Sequence, residues 1–125
     1  NFALLLEDIQ DPGNLGSILR SAAAAGCDAV YLSVGCADAW SPKVLRAAMG
    51  GHFALNIYER KDLPAVAQSF EGTLSATSLQ ATCSLYDNNM SGNIAFMIGN
   101  EGAGLSDTLM GHATQVISIP MRSTV

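Results

Sequence analysis

The sequence predicts an α/β protein whose mostly parallel sheet is flanked by helices. Short apolar runs alternate along the chain with segments of helical pattern, and glycines, prolines or polar residues separate them. Hydrophobic residues make up 49% of the 125 residues and charged residues only 14%. Because strands buried on both faces of a parallel sheet appear as continuous apolar runs, this alternation favours a sheet with helices on both sides.

The first unit is a strand followed by a helix. Phe2–Leu6 is wholly apolar, as expected of a buried parallel strand. A polar stretch then ends in Asp11-Pro12-Gly13, which is a turn signal. Asn14 is expected to cap a helix that runs to about Ala25 and ends at Gly26.

The second unit joins a strand at Ala29–Ser33 to another helix. Ser41 followed by Pro42 is a well-formed helix start, since serine caps helices and proline suits the first helical position. This helix is expected to end at Gly50-Gly51 and to turn four apolar residues inward: Val44, Leu45, Ala48 and Met49. A third strand is expected at Phe53–Tyr58.

The rest of the chain supplies a third helix and three more strands. Asp62 opens a helix with one apolar side. Residues 78–92 are polar and irregular, and within them Leu85-Tyr86 has the pattern of a brief strand pairing. The remaining strands are expected at Thr73–Thr77, Ile94–Ile98 and Val116–Ile119.

The most informative stretch runs from Phe96 to Ser106, where an apolar strand ends in three glycines spread over six residues. Glycine permits positive φ and close approach of a ligand, and ligands of open α/β sheets bind at the carboxyl ends of strands. Asn100 and Glu101 are therefore candidate ligand contacts, and a plain connecting loop is the alternative. The glycine order excludes a dinucleotide fingerprint, and no Gly-Lys-Ser/Thr follows as in a phosphate loop. An amphipathic segment, Leu105 to Met110, comes next.

Two further stretches are candidates for chemistry. In Asn14-x-Gly16-x-x-x-Arg20, a glycine in the first helical turn costs about 1 kcal/mol against alanine, so we expect that a bare backbone is needed there. Arg20 has small and apolar neighbours and is solvated, salt-bridged or directed at an anion. In Ile117–Met121, a proline ends the strand and turns the chain at the carboxyl edge, although an ordinary strand end is the preferred interpretation of this stretch in isolation.

The chain is acidic, with a net charge of −5, which is unfavourable for a nucleic-acid binder because phosphate contacts need Lys and Arg. Its six basic residues are Arg20, Lys43, Arg46, Arg60, Lys61 and Arg122. A polyanion would have to be bound locally, by a second subunit or by another domain. Three cysteines without Cys-x-x-Cys spacing (Cys27, Cys36 and Cys83) predict reduced, mostly buried thiols in a cytoplasmic protein. No apolar run is long enough to span a membrane.

Together, three stretches resemble the motifs of the SpoU (TrmH-like) family of RNA ribose methyltransferases, in the SPOUT superfamily. The first motif resembles Asn14-Leu15-Gly16-Ser17-Ile18-Leu19-Arg20. The second resembles Ile98-Gly99-Asn100-Glu101-Gly102-Ala103-Gly104-Leu105-Ser106, and the third begins like Ile117-Ser118-Ile119-Pro120-Met121. The resemblance runs from Leu4 to Val125 and so covers nearly the whole chain.

This resemblance implies a parallel sheet whose C-terminal segment is threaded into a trefoil knot, a rare exception to the rule against knots. It implies that S-adenosylmethionine is bound in the knot and that two subunits of a homodimer share each active site. Methyl transfer is then expected to a ribose 2′-hydroxyl of tRNA or rRNA. No metal is implied, and His52 and His112 are expected at the surface or as caps.

The resemblance also assigns roles to individual residues. Arg20 is the catalytic arginine, and Asn14 helps to order the site. Glu101 and Asn100 hold the second-motif loop and the site that the two subunits share. A guanidinium has no acceptor and stays protonated at neutral pH, so we expect Arg20 to stabilise the developing alkoxide rather than act as a base. The cofactor pocket is implied at the strand ends and in the glycine turn: Thr77, Ser78, Leu79, Gly99, Asn100, Gly102, Gly104, Leu105, Ile119, Pro120 and Met121.

The chain departs from the family pattern near its end and in its charge. Ser123 stands where the third motif has a glycine, and the chain stops at Val125, before the run that opens the last helix and closes the knot. We therefore expect residues 1–125 to be a fragment of a catalytic domain, without the end of the third motif and without any N-terminal RNA-binding domain. Two alternatives stay open: a non-catalytic RNA-binding or dimerisation module of the same fold, and an unrelated nucleotide-binding α/β domain.

Overall fold

A computed structural model describes residues 2–78 and 93–118. The elements follow each other in the predicted alternation: β1 Phe2–Leu6, α1 Pro12–Ala24, β2 Ala29–Leu32, α2 Pro42–Ala48, a 3₁₀ helix Gly51–Ala54, β3 Asn56–Tyr58, α3 Leu63–Ser69, β4 Thr73–Ser78, β5 Ile94–Ile98, α4 Asp107–Met110 and β6 Gln115–Ser118. The pairing expected at Leu85-Tyr86 and the third cysteine, Cys83, lie outside the described residues. No helix in the described ranges is long and apolar enough to cross a membrane.

The six strands form one sheet in the order β3-β2-β1-β5-β4-β6, and every pairing between neighbours is parallel. β1 lies at the centre, with Leu4 opposite Val30 on one side and Phe96 on the other. The predicted α/β class with a parallel sheet is confirmed. Because all strands run the same way, their carboxyl ends lie at one edge of the sheet, where the cofactor pocket was expected.

Helices cover both faces of the sheet and divide the core in two. On one face, α1, α2 and the 3₁₀ helix cover alternate residues of β1, β2 and β5. On the other face, α3 and α4 cover the strand residues that alternate with these and point the opposite way. Both layers include fully buried leucines, such as Leu15 and Leu19 of α1 and Leu63 of α3. Successive residues of each strand point to opposite faces, and both faces are covered, which explains why the strands are apolar throughout.

The first helix begins earlier than predicted. Asp11, not Asn14, is the N-cap, and its carboxylate accepts a hydrogen bond from the backbone N–H of Asn14 at 2.9 Å. Pro12 then occupies the first helical position, where it needs no N–H partner. The prediction of Asn14 as the cap is therefore wrong. Asn14 lies inside the first turn instead, and its side chain is available for another contact.

Gly16 is bare because two helices meet there. A Cβ on Gly16 would overlap the Cβ of Ala47 and lie 2.8 Å from the carbonyl oxygen of Val44. The expectation that a bare backbone is needed at Gly16 is confirmed. The group that requires it is the neighbouring helix α2. Gly16 therefore contributes to the site only indirectly, by setting how closely α1 and α2 approach.

Replacing Gly16 by alanine is expected to destabilise the protein, although alanine is the better helix former. Overpacking against the backbone of α2 costs typically about 1–3 kcal/mol and outweighs a propensity gain of about 1 kcal/mol. Gly13→Ala is the matched control, because a Cβ there meets only an Asp11 carboxylate oxygen at 3.6 Å. Urea unfolding should show a lower free energy of unfolding for Gly16→Ala alone; equal stability of the two variants would contradict this explanation.

The chain after α2 differs most from the prediction. The helix ends at Ala48 because Met49 and Gly50 adopt left-handed conformations, with φ of 50° and 86°. Residues 51–54 then form a 3₁₀ helix, so β3 starts at Asn56 and the strand expected from Phe53 is wrong over its first three residues. Two residues predicted to point inward, Leu45 and Met49, are 39% and 67% exposed, whereas Val44 and Ala48 are buried as expected.

The structure shows how deeply the two histidines and two of the three cysteines are buried. His52 is buried rather than superficial: its Nε2 lies 2.6 Å from the carbonyl oxygen of Ala39, and its ring contacts Trp40 with centroids 4.8 Å apart. His112 is half-buried just after α4. Cys27 is buried and Cys36 half-buried, and both are free thiols, in line with the expected core positions.

Candidate active site

The predicted cofactor residues that the structure describes lie at one edge of the sheet. β5, β4 and β6 are neighbours, and β4 ends level with β6, with Ser78 opposite Ser118. β5 leads at the same edge into the glycine-rich loop, which consists of residues 99–106. Four of the residues assigned to this pocket lie outside the described residues: Leu79, Ile119, Pro120 and Met121.

The glycine-rich loop is held in shape largely by one side chain. The Asn100 Oδ1 accepts hydrogen bonds from the backbone N–H groups of Gly102 at 2.8 Å and Ala103 at 2.9 Å. The Asn100 carbonyl accepts a third, from the N–H of Gly104 at 2.9 Å. On its other side, Asn100 Nδ2 donates to the carbonyl oxygen of Asp8 at 2.7 Å. Asn100 therefore orders the loop and ties it to the end of β1.

The glycines of this loop have different tasks. A Cβ on Gly99 would overlap the backbone of Gly104 and Leu105, so Gly99 lets the loop close upon itself. Gly104 has a φ of 74°, and nothing lies within 4 Å of the place where its Cβ would be. Gly102 is nearly as open, since a Cβ there meets only the Asn100 Oδ1 at 3.5 Å. Bare backbone at Gly102 and Gly104 therefore faces open space.

Glu101 joins the loop to the start of α1. Its Oε2 accepts hydrogen bonds from the backbone N–H of Asp11 at 3.1 Å and from Asn14 Nδ2 at 3.3 Å, and its Oε1 accepts one from the N–H of Gln10 at 3.4 Å. A carboxylate can only accept, so the amide nitrogen of Asn14 must face it. The Asn14 Oδ1 is left as an acceptor for another group. Two of the three predicted catalytic residues are thus in direct contact.

The contacts around Glu101 change its acidity. Partial burial raises the pKa of the carboxyl, but hydrogen bonds from the backbone of Glu101 and Asp11, the Asn14 side chain and the backbone of Gln10 more than offset this. The net pKa of Glu101 is lower than usual. Because the pKa is lower in the folded than in the unfolded state, ionised Glu101 stabilises the fold above the unfolded-state pKa. That contribution is lost as the pH falls through the folded-state pKa.

Glu101→Gln is therefore expected to lower the free energy of unfolding at pH 7 by about 1 kcal/mol, a small figure because solvent reaches the carboxylate. The difference in free energy of unfolding between this variant and wild type should shrink as the pH falls below about 4.3, the usual pKa of a glutamate side chain. Glu71→Gln is the control, since Glu71 is exposed and its carboxylate accepts no bond from the described residues. Urea unfolding between pH 7 and pH 3 measures both. A pH-independent difference would contradict this role of the carboxylate.

Arg20 is not brought to this cluster within the chain. It is exposed, and no hydrogen bond or ion pair joins it to residues 2–78 or 93–118. It follows Asn14 by six residues, which corresponds to about 9 Å along the helix axis and about 240° around it. Its Cα instead lies beside the 3₁₀ helix, 3.4 Å from where a Cβ of Gly51 would be. Asn14 and Arg20 are therefore separated by about 120° around α1 as well as by about 9 Å along it.

Two further residues of the site were missed by sequence reasoning. The Glu7 Oε1 accepts a hydrogen bond from the N–H of Ser106 at 2.7 Å, which fixes the start of α4. Asp8, with a φ of 55°, accepts a hydrogen bond from the hydroxyl of Ser33 at 2.9 Å. Both directly follow the apolar strand β1. The signal that pointed to Asn100 and Glu101, polar residues at a strand's carboxyl end, applied to these residues as well.

A separate cavity of about 410 Å³ opens at the same edge beyond β1, at the ends of β2 and β3. It is lined by Leu32, Ser33, Val34, Cys36, Ala37, Asp38, Glu59 and Arg60. No sequence pattern predicted this cavity. β1 and β5 separate it from the ends of β4 and β6, so it is distinct from the predicted cofactor pocket. No cluster of three His, Cys, Asp or Glu side chains in the described ranges is suited to hold a metal ion.

The parallel sheet and its helices match the fold of solved SpoU methyltransferase structures. An AdoMet-bound rRNA methyltransferase from Sinorhizobium meliloti superposes with a TM-score of 0.85 at 30% identity, over 98% of this chain and 49% of that chain. The chain belongs to the SpoU rRNA Methylase family, whose model matches residues 1–125.

Two curated relatives share this similarity. An uncharacterized tRNA/rRNA methyltransferase of Synechocystis is 38% identical over 98% of this chain and 46% of its own length. The 23S rRNA (guanosine(2553)-2′-O)-methyltransferase RlmP of Bacillus subtilis is 39% identical over 94% of this chain and 48% of its own length. The chain thus spans about half the length of the curated relatives that it matches.

Proposed function

We propose that this chain forms the part of an enzyme that transfers the methyl group of S-adenosylmethionine to a ribose 2′-hydroxyl of rRNA or tRNA. The observation that carries the proposal is the Glu101–Asn14 contact, which joins the second motif to the first at the carboxyl edge of the sheet. The printed activities of the relatives, a tRNA/rRNA methyltransferase and a 23S rRNA 2′-O-methyltransferase, support it.

The loop backbone suits an adenosine-bearing cofactor. Gly102 and Gly104 present bare backbone to open space, which leaves room for a ligand that a Cβ would fill. The pocket would be formed by this loop and the ends of the neighbouring strands, the described members being Thr77, Ser78, Gly99, Asn100, Gly102, Gly104 and Leu105. The cofactor supplies an electrophilic methyl group on a sulfonium, and this chemistry needs no metal.

Asn14 and Glu101 are proposed to position the acceptor ribose. Glu101 fixes the orientation of the Asn14 amide, which leaves Oδ1 to accept a hydrogen bond from a ribose hydroxyl. Such a hydrogen bond would hold the acceptor hydroxyl in a fixed orientation, and positioning of this kind accounts for a large part of catalytic acceleration. Asn14 is thus a binding residue, and Glu101 acts through it.

Arg20 is proposed to stabilise the negative charge that develops on the 2′-oxygen. A guanidinium is always protonated and offers only donors, so it stabilises an alkoxide better than it removes a proton. Since Arg20 is exposed, contacts no residue of the Asn14–Glu101 cluster and is separated from Asn14 by about 120° around α1 and about 9 Å along it, Arg20 is proposed to serve the site of a second subunit in a homodimer. The knotted C-terminal segment and a cytoplasmic location stay predictions.

Methyl transfer by the full-length protein tests this function. RNA from cells that lack the gene is incubated with tritiated S-adenosylmethionine, and the label is expected in alkali-resistant dinucleotides, as 2′-O-methylation requires. RNA from cells that carry the gene is the control, because its sites are already filled. Cofactor binding without transfer to any RNA would support a non-catalytic module instead. Failure to bind S-adenosylmethionine, with binding of another nucleotide, would support an unrelated nucleotide-binding domain.

A further inference from the structure

Charge is unevenly distributed over the two faces of this acidic chain. Residues 12–27 and 39–58 contain three basic residues and no Asp or Glu, and all eleven acidic residues lie elsewhere. These two segments supply α1, α2 and the 3₁₀ helix, which cover one face of the sheet. A positively charged helical layer therefore lies on a chain whose net charge is −5.

Exposed cations and apolar side chains occur together on this layer. Lys43 and Arg46 are one turn apart on α2, and both are exposed. Phe53 is 96% exposed and Met49 67% exposed. The Cα of Arg20 lies against Gly51, two residues before Phe53. We call Arg20, Lys43, Arg46, Met49 and Phe53 the cationic face. No ion pair within the described ranges neutralises its three cations.

The backbone holds Phe53 in this exposed position. Met49 and Gly50 take consecutive left-handed conformations, and the left-handed region is unusual for methionine. The turn that they make packs Gly51 against α1, where a Cβ would lie 3.1 Å from the carbonyl oxygen of Leu19. Phe53 follows on a short, well-anchored helix and remains in solvent. A large apolar side chain exposed by a fixed backbone is typical of an interaction site.

We propose that the cationic face binds the RNA substrate, with Lys43 and Arg46 on backbone phosphates and an unpaired base stacked on Phe53. This inference rests on the proposed function, because it assigns the substrate's contact surface. Aromatic side chains among cations are the usual means of binding single-stranded RNA. A second copy of the same face is a poor occupant, since it would place like charges opposite each other. An RNA strand on this face passes Arg20, on which transfer is proposed to depend.

RNA binding by the full-length protein tests the proposal, with a fluorescein-labelled, mixed-sequence 20-nucleotide single-stranded RNA as the probe. Phe53→Ala and Lys43→Glu/Arg46→Glu are each expected to raise the Kd at least fivefold, and the double charge reversal should reduce the salt dependence of binding. Lys61→Glu is the matched control, because Lys61 is an exposed cation outside the cationic face, and its Kd is expected to stay within twofold. All substitutions are at exposed positions and should leave the melting temperature unchanged.

Sedimentation velocity and S-adenosylmethionine calorimetry on the same variants separate the possible outcomes. Weaker RNA binding with unchanged mass and unchanged cofactor affinity supports the proposal. RNA affinity that is unchanged in both variants overturns it, as does dissociation of an oligomer by Phe53→Ala, which would make the face a subunit interface. Failure of the wild-type protein to bind S-adenosylmethionine would overturn the proposed function. The comparison of RNA affinities between wild type and the variants would still test the cationic face.

Discussion

Arg20→Ala is expected to reduce methyl transfer about 10²–10³-fold, the usual loss when one preorganised donor to a developing oxyanion is removed. Because the side chain is exposed and has no hydrogen bond or ion pair with the described residues, its removal should leave the melting temperature unchanged. The affinity for S-adenosylmethionine should stay within about twofold, since the assigned role arises only in the transition state. Single-turnover transfer rates and calorimetry measure the two quantities.

Two controls test whether the effect is particular to Arg20 and whether Arg20 acts in the site of the other subunit. Arg60→Ala removes another exposed arginine, beyond β3, and should leave the rate unchanged. An equal mixture of Arg20→Ala and Asn14→Ala subunits, in which about half of the dimers are mixed and each mixed dimer has one intact site, should recover about a quarter of wild-type activity if each site takes the two residues from different subunits. No recovery would contradict the shared site. A full rate in Arg20→Ala would remove Arg20 from the mechanism.

Gly99→Ala is expected to have the largest effect on the loop itself. Its Cβ would overlap the backbone of Gly104 and Leu105, neither of which can move as a flexible side chain does. Displacement of the loop should lower the free energy of unfolding by about 1–3 kcal/mol, as other overpacked substitutions do. It should also weaken S-adenosylmethionine binding at least about tenfold, because misplaced binding groups lose their preorganisation. Urea unfolding and calorimetry report these effects.

Gly102→Ala is the matched control in the same loop. A Cβ at Gly102 meets only the Asn100 Oδ1, at 3.5 Å, so the loop should keep its shape and the stability should change little. If both alanine variants unfold at the same urea concentration, the bare backbone of Gly99 is not what lets the loop close; cofactor affinity is compared between Gly99→Ala and wild type, because Gly102 is itself a member of the proposed pocket.

The parts of the fold that sequence reasoning predicted are those in which local signals agree. β1 and β5 are continuous apolar runs and were predicted with their observed bounds, and Ser41 is the N-cap of α2 as expected. The start of α1 was misplaced because Asp11 and Asn14 are both good caps, and the proline after Asp11 decides between them. The strand expected from Phe53 failed because a left-handed methionine, which has no sequence signature, turns the chain first.

The candidate site depends on contacts that no local pattern contains. Asn14 and Glu101 are 87 residues apart, and only the parallel arrangement of β1 and β5 brings them together. The motifs identified both residues, but not that their side chains would touch each other. Glu7 and Asp8 belong to the same cluster without being part of a motif. The separation of Arg20 from Asn14, about 120° around α1 and about 9 Å along it, follows from helix geometry once the helix bounds are known.

Amide chemical-shift mapping of the full-length protein during titration with S-adenosylmethionine tests the central claim most directly, namely that the carboxyl edge at β5 and β4 is the cofactor site. We predict that resonances of residues 99–105 and 76–78 shift or broaden, while those of residues 32–38, at the separate cavity, stay in place. Shifts confined to residues 32–38, or no shift at saturating cofactor, would contradict the assignment.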